Sequence, residues 1–458
     1  MRHLRGGIQG IHPPEGAVSI RIRGVATSSI LSQLRAARRR TDELFALLAP
    51  EQLIDRPIPE RHRGIFYLGH LEAFDWNLLT GGARGGVDAA RPGHDRLFAF
   101  GIDPVNGDLP GDRPDDWPSL DEVRAWAARA RLAVDTLMER EEAESAVLHA
   151  LIEHRLMHAE TLAYILRRTP LNRLRVPHGS ARPVVRAPRH VSGRIEIPAG
   201  VATLGLEDTD GRVFGWDNEH AAHRVDVPAF VVDRANVTCG DYLRFVKEGG
   251  YGDRSLWTGP AWAWKERIGL AHPLGWRPSR GGSWTYRTTF AEIPLPLDWP
   301  ALVSYAEATA YARWRGALLP TEAQFHRTAY GTPGGGERAY PWGNEAPSPR
   351  HGNFDFTGWD LLPVGSFPEG DSAFGVADLA GNGWEWTRTP FHPFEGFTPL
   401  PFYPGYSASF FSGEHDGAHR VLKGGGTRTA ARLLRRSFRN WFQPHYTAME
   451  AAFRCVEP

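Results

Sequence analysis

The segment HRLMHAETL, from His154 to Leu162, places two histidines four residues apart within a longer tract of helical character. That tract, AESAVLHALIEHRLMHAETLAYILRR (Ala143–Arg168), has apolar residues at three- and four-residue spacing, which predicts a helix. Histidines at i and i+4 project from one face of such a helix, so they can bind one divalent cation. The chain has 19 histidines and such pairs also arise by chance, so an ordinary polar helix face is the alternative.

The composition indicates a folded protein of more than one domain. At 458 residues the chain is too long for one ordinary core. Hydrophobic residues make up 41% and charged residues 23%, which is typical of a folded chain rather than a disordered one. Lys+Arg and Asp+Glu are balanced at 53 each, so no general attraction to nucleic acid or to an anionic membrane is expected. No apolar run is long enough for a membrane span.

The N-terminus and the cysteines indicate the compartment. Residues 1–27 are expected to form a flexible tail, because MRHLRGGIQGIHPPEG is positively charged but has no apolar segment of a secretory signal. The two cysteines, Cys239 and Cys455, cannot build a disulfide framework, nor can they alone form a thiolate zinc site. A reducing, cytoplasmic location is therefore expected.

The chain divides into two parts of different character. Residues 28–170 are predicted to form an up-and-down four-helix bundle, and Ser119-Leu120-Asp121-Glu122 is a capping box at the start of its third helix. Residues 171–192 are rich in Pro and Arg and are interpreted as a linker. Residues 193–458 are rich in Gly, Trp and Pro, which predicts an irregular α+β domain. Only CGDYLRFVKEG and SYAEATAYARWRG are expected to be helical there.

A third histidine, His70, lies in another apolar helical stretch, YLGHLEAFDW. A satisfied core or surface histidine is one interpretation, but facing helices of a four-helix bundle often supply ligands to one central site. Three neutral imidazoles with open positions suit Fe(II) or Zn(II). Glu160 is expected to orient an imidazole or stabilise the helix rather than to bind metal. Glu72 and Asp75 are interpreted as solvated charges, with a supporting contact to the histidine site as the alternative.

With these motifs, the chain resembles the ergothioneine-synthase-like family of non-heme iron sulfoxide and selenoneine synthases. The segment His154–Glu160 matches its HxxxHxE motif, and His70 matches its upstream histidine. The second part resembles the formylglycine-generating-enzyme-like (sulfatase-modifying, C-type-lectin-like) domain that these proteins carry. The matching segments are LPTEAQFHRTAYG (319–331), YPWGNE (340–345), GNFDF (352–356), PVGSFP (363–368), DLAGNGWEWT (378–387), KGGG (423–426) and RNWFQPHYTAMEAAFRC (439–455).

The resemblance implies a multidomain fold, a DinB-like bundle followed by the α+β domain, and a chemistry. It implies Fe(II) held by His70, His154 and His158, with hercynine (Nα-trimethylhistidine), O2 and a sulfur or selenium donor as substrates. The chalcogen is joined to C2 of the imidazole. Formylglycine generation is not expected, because it needs two active-site cysteines near the C-terminus and only Cys455 lies there.

Departures from the family motifs bear on the identity of the sulfur or selenium donor. Family members that use γ-glutamylcysteine have Asp and Arg where this chain has Phe442 and Tyr446, which cannot form charge-assisted hydrogen bonds to an amino-acid group. Phe394 replaces a tyrosine regarded as a proton donor, and Met157 replaces a glutamine that contacts hercynine. Together with the block RHRGIFYLGHLEAFDWNLL, these changes favour the selenoneine synthase branch, which uses a selenosugar. An ergothioneine-type synthase with another sulfur donor is the alternative.

The contacts to hercynine are expected in the second domain. A trimethylammonium group is held by aromatic faces through cation–π attraction. Asn440 and Trp441 match family positions at the substrate. Trp384 is a further candidate contact, with a purely structural role as the alternative because it lies in a signature of the fold itself. Arg439 either pairs with the substrate carboxylate or with an internal acid. No catalytic residue beyond these is assigned. A binding or scaffold protein without chemistry, and a zinc-dependent thiol transferase, are the competing classes.

Overall fold

A computed structural model describes residues 27–80, 97–98, 111–140, 145–176, 191–207, 213–411 and 418–457. The expected flexible tail, residues 1–27, lies outside the described residues except for its last residue. Most of the interpreted linker, residues 177–190, also lies outside them.

The N-terminal part is a bundle of the four predicted helices, which are α1 Thr27–Ala46, α2 Gly64–Thr80, α3 Leu120–Arg140 and α4 Ser145–Arg168. Helix α1 packs mainly on α4, and α2 packs on both α3 and α4. The capping box is confirmed, because the Glu122 backbone N–H donates to Ser119 Oγ (3.3 Å) and the Glu122 carboxylate accepts the Ser119 backbone N–H (3.1 Å). The bundle places α2 and α4, which carry the three candidate histidines, side by side.

The second part is an α+β domain, as predicted, but it is richer in helix. Its helices are α5 Cys239–Lys247, α6 Gly259–Ile268, α7 Tyr305–Trp314 and α8 Glu322–Tyr330. Helices α5 and α7 confirm the two predictions, whereas α6 and α8 are helices that the sequence interpretation missed. Both begin with a threonine cap, since Thr258 Oγ1 accepts the Ala261 N–H and Thr321 Oγ1 accepts the Gln324 N–H.

Eleven short strands among the described residues form small sheets. The strands are β1 Arg194–Ile197, β2 Gly200–Leu204, β3 His223–Val227, β4 Phe230–Asp233, β5 Trp276–Pro278, β6 Trp284–Arg287, β7 Glu292–Pro294, β8 Gly383–Pro390, β9 Arg420–Gly425, β10 Asn440–Phe442 and β11 Ala451–Ala452. The largest sheet has the order β10-β9-β8-β11, with β11 parallel to β8 and the other pairs antiparallel. The Asn440–Phe442 segment is therefore an edge strand of the described sheet.

The two parts share one apolar core. A single cluster of buried side chains includes Tyr67 and Leu162 of the bundle together with Trp384 and Tyr446 of the second domain. Polar contacts reinforce the interface, because an Arg168 guanidinium N–H donates to the Thr447 carbonyl. Helix α4 therefore packs against both the bundle and the second domain. Within the described residues, no helix combines the length and apolarity needed to cross a membrane.

Candidate metal centre

The structure brings His70, His154 and His158 together, with one ring nitrogen of each within 4.8 Å of the others. All three side chains are buried. The Nε2 atoms of His154 and His158 are 3.1 Å apart. Two nitrogens bound at about 2.1 Å to one cation, at angles between octahedral and tetrahedral, lie about 3.0–3.4 Å apart. The spacing thus fits two ligands of one ion, with His70 as the third.

The local fold determines which nitrogen His70 presents. Its Nδ1–H donates to the Phe98 carbonyl over 2.7 Å, so the Nε2 lone pair points away from that contact. A backbone carbonyl on the second ring nitrogen is a common support for a metal-bound imidazole. The Nδ1 atoms of His154 and His158 are buried without a hydrogen-bond partner among the described residues. These two rings are therefore oriented by the helix and by packing.

Burial keeps the three imidazoles uncharged. It lowers the pKa of His70 to about 4, and it lowers the pKa of His154 and of His158 well below the ordinary value. The neighbouring imidazoles and the charge of Arg155 act in the same direction. Neutral imidazole is the form that binds a metal, so the site is prepared for a cation without losing protons near neutral pH.

Aromatic rings pack around the histidines. Phe74 stacks on His154 with ring centroids 3.4 Å apart, and Phe66 stacks on His70 at 4.8 Å. Tyr403 of the second domain lies edge-on against Phe74 at 5.3 Å. Apolar rings from both domains thus adjoin the histidines, which restricts ring rotation and limits solvent access.

Behind the histidines lies an ionic cluster that the sequence interpretation got wrong. Glu72 and Asp75 were expected to be solvated, but both are buried and both accept hydrogen bonds from Arg155, at 3.1 and 2.7 Å. Arg38 also lies within ion-pair distance of both carboxylates. Burial alone would raise the pKa of Glu72, but Arg155, Arg131 and Arg38 outweigh it and lower that pKa to about 2. The cluster ties α4 to α2.

Glu160 lies at the domain interface. Its carboxylate accepts the indole N–H of Trp384 over 2.6 Å and the hydroxyl of Thr429 over 3.0 Å. It is not part of the histidine group, in line with the structural role expected for it. Trp384 is buried and donates its indole N–H to Glu160 of helix α4, so its described polar contact is with the bundle.

Glu153 forms the second charged link between the domains. Arg435 donates two hydrogen bonds to the Glu153 carboxylate, both 2.9 Å long, and two more to Glu219. The indole N–H of Trp216 also donates to Glu153 over 2.9 Å. Because Glu153 precedes His154 directly, this network fixes the backbone next to a candidate ligand.

Met157 and Trp441, two predicted substrate contacts, are joined through a residue that the sequence interpretation missed. The hydroxyl of Tyr406 donates to the Met157 sulfur over 3.5 Å. The Tyr406 ring lies edge-on to Trp441 at 5.4 Å, and Trp441 stacks on Phe391 at 4.3 Å. The Asn440 carboxamide oxygen accepts the Trp441 backbone N–H over 2.9 Å. These residues form an aromatic wall that adjoins helix α4.

Arg439 and Phe394 are engaged elsewhere. Arg439 forms a two-pronged ion pair with Glu322, at 3.0 and 3.1 Å, and both residues are buried. Phe394 lies against the Arg439 guanidinium at 4.0 Å and edge-on to His223 at 4.4 Å. Of the two partners considered for Arg439, a substrate carboxylate and an internal acid, the structure shows the internal acid, Glu322. Phe394 packs against this ion pair.

Phe442 and Tyr446 stack on each other with centroids 4.8 Å apart, but they are not an uncharged surface. Arg61, from the segment before α2, donates its Nε–H to the Tyr446 hydroxyl over 2.8 Å. Phe442 and Tyr446 themselves carry no charge, as expected, but the sequence interpretation missed the charge that Arg61 brings next to them. No local signal in the sequence pairs Arg61 with Tyr446, because they are 385 residues apart.

The two cysteines do not form a reactive pair. Both are buried as free thiols, and burial raises the pKa of Cys455 to about 12 and that of Cys239 further. A thiolate is the reactive form, so neither residue is suited to nucleophilic chemistry.

Comparison with known proteins relates both parts to described families. Residues 180–458 match the sulfatase-modifying factor enzyme 1-like domain, and residues 33–166 match the DinB superfamily. Hercynine oxygenase of Mycolicibacterium thermoresistibile is 38% identical over 328 residues, covering 70% of this chain and 72% of the relative. Ergothioneine biosynthesis protein 1 of Neurospora crassa is 27% identical, covering 87% of this chain and 54% of the relative. Mouse formylglycine-generating enzyme is 30% identical, covering 59% of this chain and 76% of the relative.

The match to the bacterial hercynine oxygenase extends over most of both chains, and the two family matches account for both halves of the fold. The chain therefore belongs to the ergothioneine-synthase-like family that includes the hercynine oxygenases, in which it joins a DinB-type bundle to a sulfatase-modifying factor enzyme 1-like domain.

Proposed function

We propose that this protein is an iron(II)- and oxygen-dependent enzyme that joins a chalcogen atom to C2 of the imidazole of hercynine. The observation that carries the proposal is the convergence of three uncharged imidazoles in a buried site next to the second domain. Relatives named hercynine oxygenase and ergothioneine biosynthesis protein 1 support the substrate.

His70, His154 and His158 would hold the iron. Three nitrogen ligands leave coordination positions open, which is the arrangement that ligand exchange requires. Bound iron(II) supplies the activation of O2. The protein's own contribution is to keep the imidazoles neutral and to limit solvent access by aromatic packing.

The aromatic wall around Trp441 is proposed to receive the trimethylammonium end of hercynine. A quaternary ammonium has no N–H to donate, and an aromatic face attracts it by roughly 0.5–2 kcal/mol for a good contact. Trp441 contacts Tyr406, whose hydroxyl reaches Met157 of the bundle, and Asn440 adds a polar group beside Trp441. Phe442 lies against Arg61 of the bundle at 5.6 Å. Holding both reactants beside the metal is the main catalytic task of such a pocket.

For the chalcogen donor we propose a selenosugar, with a thiol donor as the alternative. The stacked rings of Phe442 and Tyr446 favour a partly apolar ring over a free amino-acid group. Arg61 adds one positive charge to this region, so the absence of charge is no longer an argument for a neutral donor.

Two other functions fit part of the observations. A zinc-dependent thiol transferase would use the same histidines but would not need O2. A binding protein would retain the pocket without turnover. Formylglycine generation is disfavoured by the buried, separate thiols.

The proposal is tested by mass spectrometry of reactions that contain hercynine, Fe(II) and O2 with a selenosugar, a thiosugar, cysteine or γ-glutamylcysteine in parallel. We expect a hercynine–chalcogen product that disappears under anaerobic conditions. Product formation without O2 but with zinc would favour the transferase. Absence of product with every donor, from protein that has bound iron and hercynine, would contradict the enzymatic proposal.

A further inference from the structure

Three methionines lie in the described part of the chain, and Met157 differs from the other two in its surroundings. Met138 and Met449 are buried in apolar cores, with 3% and 4% of their surface exposed. Met157 is half-buried and lies where helix α4 meets the second domain. A thioether is oxidised only where an oxidant reaches it, and hydrogen peroxide is small enough to reach a half-buried side chain. Of these three residues, Met157 is therefore the one that peroxide can attack in the folded protein.

Met157 also adjoins the histidine group, as two sets of contacts show. It lies three residues after His154 on α4, and positions i and i+3 are neighbours on a helix surface. On the other side, the Tyr406 hydroxyl donates to the Met157 sulfur over 3.5 Å, and the Tyr406 ring lies 5.8 Å from that of Tyr403. Tyr403 in turn packs on Phe74, the ring that stacks on His154. A change at the Met157 sulfur therefore acts beside the candidate metal centre.

The hydroxyl that contacts Met157 belongs to a side chain that is held from behind. The Tyr406 ring stacks on Trp216 with centroids 4.0 Å apart. The next residue, Ser407, donates its hydroxyl to the Asp217 carboxylate over 2.6 Å, and both of these residues are buried. An oxygen atom added to the Met157 sulfur would therefore meet a hydroxyl that cannot move away without breaking these contacts.

We infer that Met157 is an oxidation site, at which hydrogen peroxide forms methionine sulfoxide and thereby displaces the aromatic wall at Tyr406. In this step the O–O bond of the peroxide breaks, one oxygen bonds to sulfur, sulfur gives up two electrons and water is released. Oxidation should also weaken hercynine binding. This last consequence rests on the proposed function, because it takes the aromatic wall as the site that holds hercynine.

The first test is peroxide treatment of the full-length, metal-free protein, followed by peptide mass spectrometry. Metal-free protein is used so that iron does not convert the peroxide into radicals. Buried methionines react only when the fold opens locally, so sulfoxide should form at Met157 at least about tenfold faster than at Met138 and Met449.

Two further measurements follow the consequences after the peroxide has been removed. Hydrogen–deuterium exchange of segment 391–411, which carries Tyr406, should become faster on oxidation, because the added oxygen displaces this segment. Calorimetric titration of the iron-loaded protein, without O2, should show a hercynine affinity lowered by roughly 5- to 100-fold, as expected when a packed contact receives an extra atom.

Two variants, each compared with its own untreated form, assign these effects to one sulfur atom. Met157→Leu nearly conserves the side-chain volume but has no sulfur, so peroxide should change neither the exchange of segment 391–411 nor hercynine binding. Met138→Leu is the matched control, because it removes a buried methionine of the same bundle. It should respond to peroxide as the unmodified protein does.

Equal oxidation rates at the three methionines would overturn the inference. A fast reaction at Met157 that leaves the exchange of segment 391–411 unchanged would overturn it as well, and so would an equal response in Met157→Leu. Hercynine affinity that stays constant although the segment is displaced would overturn the link to substrate binding. If the untreated protein does not bind hercynine, the proposed function fails, whereas the oxidation site is still decided by the sulfoxide rates and the exchange measurement.

Discussion

Three consecutive residues of α4 serve opposite electrostatic purposes. Glu153 points to the second domain and pairs with Arg435, His154 joins the uncharged histidine group, and Arg155 points to α2 and pairs with Asp75. Successive residues of an α-helix are rotated by about 100°, so neighbours in sequence face different partners. The proposed ligand face of α4, which carries His154 and His158, is free of charged side chains. The two faces beside it carry buried charges that are paired with opposite charges.

The contrast between the uncharged histidine face and the two charged faces shows how a buried helix can hold a candidate metal site. The flanking ion pairs attach α4 to α2 and to the second domain, whereas two of the histidines have few polar supports of their own. Removing a residue from the ligand face should therefore affect metal binding and little else. Removing one from a flanking face should affect stability first.

The largest expected effect is on the ligand face. Changes to groups that merely support a metal ligand cost 10- to 100-fold in affinity, so His154→Ala should lower iron affinity by more than about 100-fold and abolish turnover. Metal analysis after dialysis and the product assay measure this. His149→Ala, on the same helix but bonded to Arg432, is the control and should keep its iron. Full iron content in His154→Ala would show that the ligand face is not a metal face.

On the bundle side, Arg155→Met should be strongly destabilising. It leaves Glu72 and Asp75 buried with less compensation, and breaking a buried ion pair costs about 3–5 kcal/mol. The free energy of unfolding in urea measures the loss. Arg35→Gln, which removes an exposed pair, should change it by less than about 1 kcal/mol. If Arg155→Met and Arg35→Gln were equally stable, the buried charges beside the histidine face would contribute no more to stability than surface charges do.

On the second-domain side, Arg435→Gln should weaken the attachment between domains. Glu153 and Glu219 would then face each other with fewer hydrogen-bond donors. The free energy of unfolding should fall by about 2–4 kcal/mol, and not by more, because Arg432 also lies near Glu153. Unfolding followed by both tryptophan fluorescence and circular dichroism should then separate into two transitions. A single unshifted transition would indicate that the shared apolar core alone holds the domains together.

The smallest effect is expected at Glu160. Its partners, Trp384 and Thr429, are neutral, so Glu160→Gln loses no ion pair and should change stability by about 1 kcal/mol or less. Its iron content should equal that of the unmodified protein. Loss of iron in this variant, with the fold intact, would place Glu160 on the ligand face after all.

Local patterns were sufficient to predict the four bundle helices and the cap at Ser119, because helical periodicity and capping motifs are local. The grouping of His70 with the histidine pair rested instead on the general behaviour of facing bundle helices and on the family motif. Contacts between distant segments were not predictable in this way. Glu153 and Arg435 are 282 residues apart, and nothing near either residue indicates the other. Glu72 and Asp75 were misread because a charged residue is usually solvated, and their burial depends on arginines from other helices. Helices α6 and α8 are short, and only their threonine caps marked them.

The central claim is that His70, His154 and His158 together hold one iron ion. X-ray absorption spectroscopy of the Fe(II)-loaded protein, prepared without O2, tests it most directly. We expect one iron per chain with three imidazole nitrogens at about 2.1 Å, and loss of the imidazole scattering when His154 is replaced by alanine. Iron bound with no imidazole signal, or with the same spectrum in the His154→Ala variant, would contradict the account.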